Sequence, residues 1–122
     1  MIRLGTALKS QEPPFHRCLI LSDPLSNGGQ IVLVRITTND GTWPDQDCIL
    51  TSRDWDQLEH ESTVAFSTTK YGPAMASLEA AIQRGLFQEI PSPPTDVLRR
   101  IIDMARVSPA VPPAAKRLLG QI

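Results

Sequence analysis

A chain of 122 residues is long enough for one domain with its own core and too short for two. Its apolar share of 41% is that of an ordinary globular domain, and aromatics at 5% are too few for a base-stacking platform. The net charge of −1 conceals an asymmetry: residues 1–66 carry five Lys or Arg against nine Asp or Glu, and residues 67–122 carry seven against four.

That basic bias can attract phosphate or an acidic partner segment, but is too small alone to argue nucleic-acid binding. No window approaches a membrane span, and Met1 to Thr6 lacks the apolar core of a secretory leader. A cytoplasmic location and no membrane partner are therefore expected.

The strand-rich part, residues 1–70, opens its pattern with His16-Arg17-Cys18-Leu19-Ile20-Leu21-Ser22, an apolar run stopped by Asp23-Pro24. Asn27-Gly28-Gly29 predicts a turn, since Gly tolerates positive φ and Asn nearly does. The clearest strand follows, with β-branched Ile31, Val32, Val34, Ile36, Thr37 and Thr38. Arg35 interrupts its apolar face and is expected to point out of the pleat toward a carboxylate.

Asn39-Asp40-Gly41 and Trp43-Pro44-Asp45 predict a longer loop, and Cys48 to Thr51 and Thr63 to Ser67 predict two more short strands. The acidic stretch Ser52 to Glu61 has room for one helical turn. Short strands with turns between them and no helical crossover predict a small, strongly bent antiparallel sheet or barrel.

The helix-rich part, residues 71–122, begins with Pro73 to Arg84, closed by Gly85; Met75, Leu78 and Ile82 form one stripe for burial. Leu86 to Ile90 alternates like an edge strand. Ser92 is the expected cap of the next helix, with Pro93 at its first position and Asp96 at its positive end. Val97, Leu98, Ile101, Ile102 and Ala105 line its inner face. Ser108 to Pro113 breaks the pattern, and Ala114 to Leu119 adds a last turn before Gly120. The whole reads as a single α+β domain, a barrel with helices packed against it.

Phosphate-cradling loops, dinucleotide fingerprints and nucleophile elbows are absent from the sequence. Two histidines without Cys or carboxylate at ligand spacing make no zinc site, and no cofactor is indicated. Cys18 and Cys48, thirty positions apart, read either as two reduced core cysteines or as a bridge between neighbouring strands. Trp43 and Trp55 sit in loops and serve either as core anchors or as contacts for a base or a partner.

Polar residues remain at the strand ends. The order R-C-L-I-L-S, a glycine turn, I-V-L-V-R-I-T-T, a loop, C-I-L, then S-T-V-A-F resembles the MazF/PemK family of ribonuclease toxins. The closing G-L-F-Q-E-I-P-S-P-P-T-D-V-L-R-R-I is similar to that family's strand, cap and amphipathic helix. Two features depart from it: Cys18 follows Arg17 where the family has proline, and the Ala-rich helix over 74–84 replaces a loop or shorter element.

The resemblance implies an SH3-like antiparallel barrel with packed C-terminal helices. It also implies the toxin of a toxin-antitoxin pair, a metal-independent endoribonuclease cutting single-stranded RNA. Such a protein would be a homodimer neutralised by a cognate antitoxin. Arg17 aligns with the arginine of the family's first element and Thr37 with the threonine of its second. In that role Arg17 stabilises the phosphorane, Thr37 binds a non-bridging oxygen, and His16 or His60 moves protons. The plain reading of the same residues is a strand start, strand formers and a loop histidine. The alternative for the whole chain is a non-catalytic β module that binds a protein or nucleic-acid partner.

Overall fold

The computed structural model describes residues 1–13 and 15–122. Among these residues six strands and three helices follow in the order β1 (Ala7–Ser10), β2 (Arg17–Ile20), β3 (Ile31–Thr38), β4 (Ile49–Leu50), β5 (Ser62–Gly72), α1 (Met75–Gln83), β6 (Phe87–Ile90), α2 (Thr95–Val107) and α3 (Pro113–Lys116). All ladders are antiparallel, and the strand order is β4-β5-β3-β2-β1-β6. The α+β class holds.

The sheet is not closed into a barrel. β4 contributes two residues and pairs with β5 alone, so among the described residues no ladder joins it to β6 at the other edge. No helix is long and apolar enough to cross a membrane among the described residues.

The pleat sends alternate side chains to opposite faces, and the ladder aligns those faces across strands. Leu19, Val32, Val34, Ile36, Val64 and Leu50 join Val97, Leu98, Ile101, Ile102 and Ala105 of α2 in the main core. This is the inner face expected of that helix. Trp55 is 1% exposed in the same core, with Nε1 donating to the Pro91 carbonyl at 3.0 Å. The opposite face carries a smaller cluster of Ile2, Ile20 and Ile31, covered by Met75, Leu78 and Ile82 of α1.

Several boundaries differ from the sequence reading. β1 was not marked by any turn or β-branched signal, yet it lies between β2 and β6. Pro94, not Ser92, occupies the N-cap of α2, in an extended conformation with ψ 150°, and no side chain caps the helix. Residues 52–61 form turns instead of a helical turn. The turn at Asn27 stands as expected: Gly28 and Gly29 have φ of 77° and 87°, and Asn27 Oδ1 accepts from the Gln30 N–H at 2.8 Å.

β5 runs well past the predicted Ser67 because it bends. Leu33 pairs with Lys70 and Arg35 with Ala65, so Phe66 to Thr69 bulge opposite Val34. Thr68 and Thr69 donate their hydroxyls to the carbonyls of Ala65 and Phe66, each at 2.6 Å. Asp45 fastens the bulge from the 39–48 loop. Its two carboxylate oxygens accept from the Ser67 N–H at 3.0 Å and the Ser67 hydroxyl at 2.5 Å. Its own carbonyl accepts from Thr63 Oγ1.

Asp45 is 7% exposed, so removing its carboxylate strands two donors away from full solvation. Asp45→Ala is expected to cost about 2–3 kcal/mol in equilibrium urea unfolding, and Asp45→Asn, which keeps one acceptor, about half as much.

Candidate functional site

Antiparallel pairing brings the start of β2, the end of β3 and the start of β5 to one end of the sheet. Arg17 pairs with Ile36, Thr37 with Thr63, and Thr38 with Ser62. A cavity of about 130 Å³ opens there, lined by Phe15, His16, Arg17, Ile36, Thr37, Thr38, Leu58, Glu59, His60 and Ser62. The neighbours His16 and Arg17 therefore share one cavity with Thr37 and His60, which are distant from them in sequence.

The register refines their arrangement. Arg17 lies on the face of Ile36, and by alternation so does Thr38. Thr37 belongs to the opposite face by the same alternation, though it too lines the cavity. The hydroxyl on the arginine's side is that of Thr38, one residue from the position singled out by sequence. Glu59, next to His60, adds a carboxylate that acidic-loop composition alone had not distinguished. Ser62 Oγ donates to the His60 carbonyl at 2.9 Å and fixes the backbone beside the histidine.

Arg17 is half-buried, and its Nε is a buried nitrogen without a hydrogen-bond partner among the described residues. Arg17 also makes no ion pair among them; the pair present is Arg100–Asp54 at 3.3 Å, which ties the 51–54 turn to α2. An unsatisfied buried N–H costs about 1–3 kcal/mol, so a native fold that keeps one sets it against strain, an ordered water or ion, or a functional role. Among the described residues no group of three or more His, Cys, Asp and Glu could hold a metal ion.

His16 also borders a second cavity, of about 190 Å³, lined by Cys18, Leu33, Arg35, Thr68, Lys70 and Phe87. The expectation that Arg35 faces a carboxylate is not met: it is half-buried in this wall, without an ion pair among the described residues. An apolar groove of about 300 Å³ adjoins it, between the β3–β5 ladder and α1, with Ile31, Tyr71, Ala74, Leu78 and Ala81 along its sides.

Cys18 and Cys48 are both buried free thiols. Three strand spacings separate β2 from β4, roughly 14 Å, twice what a disulfide spans. Burial pushes the Cys18 thiol from 9.0 up to about 11, against the opposing pull of Arg35 and Lys70. Burial also raises Cys48, which the nearby Arg100 partly offsets.

The folded state thus holds the Cys18 proton more tightly than the unfolded chain does. Stability from this group is intact below pH 9 and is lost as pH rises toward 11, by about 2–3 kcal/mol. Urea unfolding at pH 8 and pH 10.5 is expected to show a steep fall for the native sequence and a shallower one for Cys18→Ala. Iodoacetamide at pH 8 should leave both native thiols unmodified.

Compared with protein-family models and with curated proteins, the chain matches none.

Proposed function

We propose that the cavity at the end of the sheet binds single-stranded RNA and cleaves it by metal-independent transesterification, as a toxin of the MazF/PemK type. The observation that carries this reading is the Arg17 side chain, whose Nε has no hydrogen-bond partner among the described residues, at the same cavity as His16, His60 and the Thr37–Thr38 hydroxyls.

The reaction asks for three things, and the cavity has side chains suited to each. One histidine takes the proton from the ribose 2′-hydroxyl as its oxygen attacks phosphorus. The Arg17 guanidinium, with Thr38 beside it, compensates the charge on the equatorial oxygens of the phosphorane. The bond to the 5′-oxygen breaks, and the other histidine protonates that leaving group. The products carry a 2′,3′-cyclic phosphate and a 5′-hydroxyl. In this reading the bent, open sheet is a variant of an SH3-like barrel. The working form is a cytoplasmic homodimer, and a cognate antitoxin covers the cavity.

A second reading, a non-catalytic module for a protein or nucleic-acid partner, is favoured by the apolar groove beside α1, where Tyr71 is 47% exposed. The two readings separate in one assay. Purified chain incubated with single-stranded RNA in excess chelator is expected to release fragments with 5′-hydroxyl ends. Intact RNA would leave the binding-module reading.

Arg17→Ala is expected to lower cleavage about 100-fold or more. Its unfolding free energy should stay unchanged or rise by about 1 kcal/mol, because an unsatisfied buried group is removed. Undiminished cleavage by that variant would take the proposed chemistry away from this cavity. His16→Asn and His60→Asn should each cost about 10²–10⁴ in rate.

A further inference from the structure

The second cavity shares His16 with the first, but its other lining residues take no part in the cleavage proposed above, and they are sorted by chemistry. Cys18 and Leu33 supply apolar lining, Phe87 an aromatic ring, and Arg35 and Lys70 two positive charges. No Asp or Glu lines it, and neither cation makes an ion pair among the described residues. Arg35 pairs with Cys18 and Lys70 with Leu33, so the ladders bring both charges onto one face of the sheet at this cavity.

This convergence depends on the bulge in β5. Lys70 pairs with Leu33, and Arg35 of the same β3 face pairs with Ala65, which brings the lysine alongside the arginine. The Thr68 hydroxyl on the wall already donates to the Ala65 carbonyl, and the two cations supply charged donors for a ligand. Two unpaired cations beside an aromatic ring fit a phosphate attached to a flat ring system. At about 190 Å³ the space is below the range for drug-sized ligands, so it encloses only part of a nucleotide, the remainder extending out of its mouth.

We propose that this cavity binds one phosphate carried on a planar ring, a nucleoside monophosphate in its simplest form, with Arg35 and Lys70 holding the phosphate and Phe87 the ring. The ligand is either a free nucleotide or one unit of a single strand, and the two sources differ in what the chain attached to the phosphate adds.

The full chain is titrated with AMP, adenosine, inorganic phosphate and a 2′-O-methyl tetranucleotide, followed by calorimetry and by the backbone amide shifts of residues 33–35 and 68–70. AMP is expected to bind at least about tenfold more tightly than adenosine, with those amides moving. Lys70→Ala, at an exposed position, and Arg35→Gln should each weaken AMP about tenfold, while Arg17→Ala leaves it unchanged. Tetranucleotide binding no tighter than AMP assigns a free nucleotide; binding tenfold tighter, with the same amides moving and the same sensitivity to Lys70→Ala, assigns a strand. No binding of any phosphate ligand up to about 10 mM would overturn the proposal. So would AMP affinity that falls with Arg17→Ala and persists in Lys70→Ala, since the ligand would then occupy the first cavity.

Discussion

The hold of Asp45 on Ser67 sets the geometry of this sheet. A loop carboxylate with 7% exposure accepts two hydrogen bonds from one serine and so keeps three extra residues of β5 in register-breaking bulge form. The first part of β5 then aligns with the end of β3 and closes the polar end of the sheet. The second part turns back along β3 and carries Lys70 to Leu33. Bulges bend strands and re-aim side chains, and here one bulge serves both cavities.

The pleat divides the work further. Arg17 and Cys18 are adjacent in sequence, yet one lines the smaller cavity and the other the larger. The arginine keeps a buried N–H without a partner among the described residues, and the cysteine keeps its proton because burial outweighs the pull of Arg35 and Lys70. Neighbouring residues thus face different cavities, each with cationic side chains that an anion can meet.

Elements whose pattern is strong and local were legible in the sequence. The β-branched run of β3 and the helical spacing of α2 each determine a face without help from the rest of the chain. Elements whose identity depends on partners were not. Ala7-Leu8-Lys9-Ser10 has no strand signature and becomes β1 because β2 and β6 offer ladders on either side. The far end of β5 was hidden because its threonines bond their own backbone across the bulge. The cap of α2 moved from Ser92 to Pro94 because fixed proline geometry can set the entry to a helix without a side-chain acceptor. For the site, residue type was legible and orientation was not. Strand alternation says that Thr37 and Thr38 face opposite ways, but only the Arg17–Ile36 pairing decides which of them shares the arginine's side.

The attachment of α1 has a consequence for motion. The helix has no fully buried residue and no side-chain cap, and it rests on the small cluster of Ile2, Ile20 and Ile31 through Met75, Leu78 and Ile82. The main core does not include it. Local opening free energy follows the apolar contact that is broken, so this helix can lift away while α2 stays seated and the protein remains otherwise native. Each such excursion uncovers isoleucine side chains on the back of the sheet, making this flank the place where transient stickiness between molecules would begin.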